Sequence, residues 1–229
     1  MNVYLASPNN QIQAAAAEGM PVLLSFAVCA PWIDKYQTTF ERLLIDSGAY
    51  SELNSGKKVD GYKYKDWAER WHWADAVAGL DDINGNWRRS LRNYEQYGGF
   101  PTIHDTDPPE LLDDLIPMAQ ERGGWLGIGL KPPRQGKEGF VQSVLDRVPP
   151  DIHVHGWALR AYTHLPRLDS VDSTNWWRDS LDLQSMALCK HLTPAETLEI
   201  VVKRYKRWKR VIKQPATETL PLFGIEAAG

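Results

Sequence analysis

Eight short apolar runs, separated by stretches with helical spacing, constrain this chain more than any other feature of its sequence. They lie at 3–6, 22–26, 43–46, 76–81, 101–104, 125–130, 153–159 and 169–172. Segments such as 108–122 and 140–147, with apolar positions three and four apart, fill most of the gaps. Short β-runs that alternate with helices imply βαβ units and a parallel sheet, because parallel neighbours need a long crossover. Eight such units in 229 residues favour a closed barrel over an open doubly wound sheet. The sequence therefore predicts an α/β fold, a single (β/α)₈ barrel of the TIM type. It would occupy residues 1–214, be minimal or irregular, and end in a basic helix over 194–213 followed by a tail at 215–229. The first two runs carry the weakest pattern, which leaves an incomplete barrel open. There is no internal repeat and no low-complexity tract.

A parallel barrel gathers the C-terminal ends of its strands into one mouth, where active sites sit. Several runs end in a polar residue that belongs in such a mouth: Asp46, Asp81, His104 and Asp172. A carboxylate at the end of a buried strand is costly unless it has a partner or a task. The commonest innocent task is to cap the next helix. Capping is less sufficient for three aspartates than for one.

The last helix announces its own start. Thr193, Pro194 and Glu196 supply the N-cap, the first-turn proline and the acidic partner of a capping box. Leu198, Val201, Val202, Tyr205, Trp208 and Ile212 form one apolar stripe. Lys203, Arg204, Lys206, Arg207, Lys209, Arg210 and Lys213 lie off it. Segment 198–213 thus carries seven basic residues and one Glu, in a chain whose net charge is −3. A solvated outer face and a phosphate-contacting face both fit that pattern. The ten tryptophans, with pairs at Trp71/Trp73 and Trp176/Trp177, fit core packing or a surface on which bases stack. Cys29 and Cys189 are far apart and form neither a disulfide framework nor a thiolate metal site. With no apolar run long enough to span a bilayer and no secretory leader pattern, the expected setting is cytoplasmic, with no membrane contact.

The residues at these strand ends resemble a known family. Leu44-Ile45-Asp46-Ser47-Gly48-Ala49-Tyr50 is similar to the Asp-Ser-Gly-Gly-Tyr motif of the tRNA-guanine transglycosylases. His155-Gly156-Trp157 and then Leu168-Asp169-Ser170-Val171-Asp172-Ser173-Thr174 resemble their final barrel strands. The Val-Asp-Ser-Thr form is closer to the DNA-modifying branch, the 7-deazaguanine DNA transglycosylases of phages and bacteria. Three further stretches match in order. Ala78-Gly79-Leu80-Asp81-Asp82 corresponds to the base-recognising aspartate strand. Pro101-Thr102-Ile103-His104 corresponds to a strand bearing a base-contacting side chain, and Gly127-Ile128-Gly129-Leu130 to a glycine-rich strand near the base. No single motif is specific; the ordered set, over residues 43 to 178, is more so.

The resemblance implies a role for each position. Asp172 would attack C1′ of the target nucleoside and expel guanine. Asp46 would protonate the leaving base and deprotonate the incoming one. Tyr50 would stack on the base, with Ser47 and Gly48 beside it. Asp81, in competition with Asp82, would accept from the base's N1 and exocyclic amine, and His104 would contact the ligand. The backbone of Gly129 and Leu130 would meet the base edge, and Gly156 and Trp157 would complete the substrate pocket. Asp169 is an alternative to Asp172. The chemistry suits these residue types. A carboxylate can trap an oxocarbenium-like centre as a covalent ester, and guanine needs a proton to leave. Two carboxylates in one mouth drive their pKa values apart and so separate the two roles.

The chain also departs from the tRNA enzymes. The three Cys and one His that hold their structural zinc are missing, and Lys131-Pro132-Pro133 replaces a glutamate expected after the glycine strand. The resemblance therefore implies no metal and no cofactor. It implies a DNA substrate, single-stranded or with its guanine flipped, and a free 7-deazaguanine such as 7-cyano-7-deazaguanine as co-substrate. Arg178, Lys203, Arg204, Arg207 and Arg210 would supply phosphate contacts, with Arg88 and Arg89 as further candidates, and there is room for a partner protein that opens the duplex. In the DNA branch such modification shields phage DNA from restriction. A tRNA transglycosylase without its zinc domain, an N-glycosidase and a non-catalytic nucleic-acid-binding barrel are the alternatives.

Overall fold

The computed structural model describes residues 1–36, 38–56, 58–186 and 190–211, apart from the side chains of 53–55 and 207–211. All eight runs become parallel strands: β1 (Asn2–Ala6), β2 (Pro21–Ser25), β3 (Arg42–Asp46), β4 (Ala76–Val77), β5 (Thr102–His104), β6 (Trp125–Gly129), β7 (His153–Gly156) and β8 (Ser170–Ser173). The sheet order is β4-β3-β2-β1-β8-β7-β6-β5. Its outer strands meet through one isolated parallel bridge, Ala78 to Phe100. There the Phe100 amide donates to the Val77 carbonyl and the Gly79 amide to the Phe100 carbonyl, each at 2.8 Å. The sheet thus curls into an irregular (β/α)₈ barrel with a thin seam between β4 and β5.

The two weakest runs form full five-residue strands, because β1 pairs on one side with β2 and on the other with β8. Run 76–81 is shorter than its pattern. It leaves the ladder after Val77, and the Tyr94 ring lies where a Cβ on Gly79 would stand. Run 153–159 ends as a strand at Gly156, and Ala158 turns the chain with φ +54°.

Among the described residues the helices are α1 (Gln11–Ala16), α2 (Ala49–Ser55), α3 (Gly61–Glu69), α4 (Trp87–Tyr97), α5 (Leu111–Glu121), α6 (Glu138–Arg147), α7 (Asn175–Ser185) and α8 (Pro194–Val211), with two short 3₁₀ turns. The α8 capping box forms as its sequence implies. The Thr193 amide donates to Glu196 Oε2 at 2.7 Å, and the Glu196 amide to Thr193 Oγ1 at 3.3 Å. Leu198, Val201, Val202 and Tyr205 are buried against the barrel, while Lys203, Arg204 and Lys206 are exposed.

Strand alternation sorts the apolar residues into two cores. Outward-facing Val3, Leu5, Val22, Leu24, Leu43, Ile45, Ile128 and Val154 pack beneath the helices. Inward-facing Tyr4, Ala6, Leu23, Leu44, Ala78, Phe100 and Trp125 fill the barrel, with Trp157 against them. Each fully buried large side chain contributes roughly 1.5–3 kcal/mol of transfer free energy. Trp176, on α7, is fully buried and donates its indole N–H to the Ala6 carbonyl at 3.1 Å, tying α7 to β1. Trp71 is likewise core, whereas Trp73 is among the exposed hydrophobics. Among the described residues no helix is long and apolar enough to cross a membrane.

Candidate active site

The inward positions change character toward the C-terminal strand ends. Below lie aromatic and aliphatic groups; above lie Asp46, Asp81, His104 and Asp172. Asp46 closes β3, and Gly48 turns the chain away from it in the left-handed region at φ +81°. Glycine is doubly required there, since a Cβ would stand 2.4 Å from Ala27 Cβ. Ser47 is buried and faces the Ala49 amide across this turn at 3.4 Å. Burial carries the Asp46 carboxyl up to about 6, and the charges of Asp81 and Asp172 add to the rise, while the Ser25 hydroxyl and the Gly48 amide oppose it. Tyr50, in the first turn of α2, is half-exposed, and the Arg134 guanidinium stands 5.9 Å over its ring.

Asp81 and Asp82, which compete in sequence, have distinct positions. Asp82 organises its own loop: it pairs with Arg89 at 3.1 Å and accepts from the Asn84 amide at 2.9 Å. Asp81 faces the mouth, where its Oδ2 lies 3.0 Å from His104 Nε2. The other ring nitrogen of His104 lies 3.4 Å from Asp107 Oδ2, which also accepts from the His104 amide at 2.8 Å. Burial alone would lower this imidazole's pKa, but the hydrogen bonds and charges of Asp107 and Asp81 overcome it and carry it up to about 10. His104 is thus an imidazolium clasped between two carboxylates. A small cleft opens beside Asp81, lined also by Glu52, Leu80, Asp82, Asn84 and Asn93.

The glycines of β6 face these rings. A Cβ on Gly129 would stand 2.5 Å from His104 Cδ2; one on Gly127 would stand 2.5 Å from Trp157 Nε1 and 2.4 Å from Thr102 Oγ1. The Gly129 carbonyl also receives the Asp105 amide at 3.3 Å. The close approaches that these glycines permit are therefore made by the protein's own His104 and Trp157. Leu130 is buried just beyond the strand. Trp157 donates its indole N–H to Thr102 Oγ1 at 3.0 Å and stacks on Phe100 at 6.0 Å, which makes it a floor beneath the mouth. Gly156 belongs to the wall, where a Cβ would press on the Leu159 side chain at 2.9 Å.

Asp172 sits on β8, next to β1 and β7. Its Oδ1 accepts the Ala158 amide at 2.6 Å and lies 3.5 Å from Nε2 of the fully buried His155. The left-handed Ala158 is what aims that amide at the carboxylate. Asp169, the sequence alternative, lies at the opposite end of the strand and accepts the Val154 amide at 2.8 Å. The other end of the barrel is closed by a different ion pair. Arg42 Nη2 lies 2.9 Å from Asp75 Oδ1, and Tyr4 donates to Asp75 Oδ2 at 3.3 Å.

The rim carries part of the basic set. Arg178, in the first turn of α7, is exposed and packs over Trp177 at 5.4 Å. The Tyr205 hydroxyl lies 3.5 Å from Ser173 Oγ, so the fourth turn of α8 reaches the mouth end of β8. Lys203 pairs with Glu199 at 2.7 Å along the helix face, and Arg204 is exposed beside it. The side chains of Arg207 and Arg210 lie outside the described residues. Arg88 packs over Trp87 at 4.2 Å. Among the described residues no group of three or more His, Cys, Asp or Glu is arranged to hold a metal ion.

Sequence reasoning did not single out His153, His155 as a side chain, Ser170 or Asp107. Its usable signal was period two: His153 and His155 share one face of β7, as Ser170 and Asp172 share one face of β8. Fold and site together define an eight-stranded parallel barrel whose C-terminal mouth holds three inward carboxylates and one clasped imidazolium. No protein-family model and no curated protein matches the chain.

Proposed function

We propose that this protein exchanges bases at the anomeric carbon of a nucleoside in DNA, replacing guanine with a 7-deazaguanine through a covalent sugar ester on Asp172. One observation carries the reading: Asp46 and Asp172 share a mouth, with Asp46 buried and held above the usual carboxylate range and Asp172 bound by a backbone N–H beside an imidazole. Burial carries Asp46 up to about 6, so a fraction of it still holds a proton to give near neutral pH. Asp172 receives a backbone N–H on one oxygen, which leaves the other free to attack. Separation of two carboxylates into an acid and a nucleophile is what retaining chemistry at an anomeric carbon requires.

In the first step an Asp172 oxygen bonds to C1′, the C1′–N9 bond breaks, and the departing guanine takes its proton from Asp46. In the second step N9 of the incoming base bonds to C1′, the ester bond breaks, and the proton lost from that base returns to Asp46. Asp81, with one oxygen held by His104, has the other to accept from a guanine edge. Tyr50 and Arg134 offer a stacking pair at the rim. Arg178, Lys203, Arg204, Arg207 and Arg210 would meet the phosphates, and the target guanine would enter flipped or single-stranded. The ordered resemblance to guanine transglycosylases supports the same reading, and its DNA branch supports DNA and a cytoplasmic setting.

The test is base exchange on guanine-labelled DNA and, separately, labelled tRNA, each with and without 7-cyano-7-deazaguanine, comparing wild type with Asp172→Ala. Label released from DNA only when the deazaguanine is present, and not by the variant, is the expected result. Release from tRNA instead moves the substrate to RNA. Release without an incoming base makes the protein an N-glycosidase, and binding without release from either substrate overturns the reading.

A further inference from the structure

We infer that His153, Ser170 and His155 form a one-way hydrogen-bond chain inside the barrel that fixes the Nε2–H of His155 toward Asp172, and so makes His155 the positioning residue of that carboxylate. Its part in the reaction rests on the proposed function; the direction of the chain does not.

The file runs up the barrel interior. His153 Nε2 is 2.7 Å from Ser170 Oγ, Ser170 Oγ is 2.9 Å from His155 Nδ1, and His155 Nε2 is 3.5 Å from Asp172 Oδ1. His155 is sealed from solvent, with Tyr4 edge-on at 5.9 Å and Trp157 at 4.5 Å. Bulk solvent does not reach its ring.

A serine hydroxyl has one hydrogen, and a neutral imidazole has one N–H and one bare nitrogen. Two neutral arrangements satisfy both Ser170 contacts and use its one hydrogen within them; a third, in which both rings donate to the hydroxyl oxygen, leaves that hydrogen outside the file and also turns a bare His155 Nε2 toward Asp172. In one, His153 Nε2–H donates to Ser170, Ser170 donates to His155 Nδ1, and His155 presents Nε2–H to Asp172. In the other, every donor reverses, and His155 presents a bare lone pair to a carboxylate oxygen in a dry interior. The second arrangement sets two acceptors against each other, so the first prevails. It also suits a neutral His153, whose pKa burial lowers to about 4, with the Arg42 charge acting the same way.

At 3.5 Å the contact is longer than a full hydrogen bond and acts as a charge–dipole contact. Oδ1 then faces two N–H groups, from Ala158 and His155, and Oδ2 is left as the oxygen that attacks C1′. After the ester forms, the same pair of donors faces its carbonyl oxygen. The contact thus favours the carboxylate as leaving group in the second step.

The experiment has two readouts. In wild-type protein labelled with ¹⁵N-histidine, NMR should find His155 neutral and protonated on Nε2, and Ser170→Ala should mix its tautomers. A His155 protonated on Nδ1 in wild type, or a tautomer indifferent to Ser170, overturns the inference whether or not the protein exchanges bases. Kinetically, His155→Phe should lower kcat for base exchange at least tenfold with KM within twofold, and His155→Gln, which restores an N–H, should recover most of that loss. Equal losses in the two variants, or a change confined to KM, refute the positioning role. A wild-type protein that exchanges no base refutes the proposed function and leaves the tautomer measurement to decide this inference.

Discussion

Asp46→Asn isolates the energetics of the mouth without reference to any substrate. The carboxyl titrates near 6 in the folded protein against a reference of 3.8. Each tenfold of proton affinity corresponds to about 1.4 kcal/mol, so ionising Asp46 in place costs the fold about 3 kcal/mol. The sign follows from linkage. The folded state holds the Asp46 proton more tightly than the unfolded state, so this group's contribution to stability falls as pH rises. Below pH 3.8 the cost is absent, between 3.8 and 6 it accumulates, and above 6 it is complete. An asparagine never ionises, and its carbonyl can still accept from the Gly48 amide. The variant should therefore match wild type near pH 4 and exceed it at pH 8 by about 2–3 kcal/mol, the difference developing between those values. Chemical denaturation of both proteins across this range, read by tryptophan fluorescence, measures it. A variant that gains equally at pH 4 and pH 8, or is less stable at pH 8, refutes the claim that Asp46 is held in an environment hostile to its charge.

Three further outcomes are expected. His104→Gln removes the positive charge that faces Asp81 and Asp107 and should cost about 3–5 kcal/mol at pH 7. Because this imidazole's pKa is raised from 6.5 to about 10, its contribution is fully present below 6.5 and lost as pH rises through 10, so denaturation midpoints of variant and wild type should converge in alkali. Gly127→Ala forces a methyl into the Trp157 indole and Thr102, and should destabilise by roughly 1–3 kcal/mol, with a changed tryptophan spectrum. Replacing Lys203, Arg204, Arg207 and Arg210 by glutamine should weaken nucleic-acid binding and reduce the slope of log affinity against log salt by about 0.9 for each phosphate that is no longer neutralised; an unchanged slope would make that face ordinary solvated surface.

The barrel was legible because each strand carries its own signal, a short apolar run closed by a turn, and that signal survives in a single sequence. Asp46, Asp81, His104 and Asp172 were legible as polar ends to those runs. Their relations were not, since they depend on which strands become neighbours. His104 reads as a contact for a ligand, yet its ring nitrogens face Asp81 and Asp107. Gly127 and Gly129 read as room for a bound ring, yet the rings that press on them come from Trp157 and His104. The file of His153, Ser170 and His155 needs β7 beside β8 before its members meet. Sequence periodicity reports which residues share a face, and only closure reports what stands opposite.

That closure has a consequence for how the mouth can diverge. The β4–β5 seam has a single bridge, and the His104–Asp81 pair crosses the barrel at the same place, joining the end of β5 to the segment that follows β4. Asp46 and Asp172 stand elsewhere, on β3 and β8, separated by the continuous ladder of β2 and β1. One half of the mouth is therefore free to vary without loosening the cylinder, and the other half is its clasp. A lineage that exchanged Asp81 would also be unfastening its own barrel, and would have to mend the seam elsewhere.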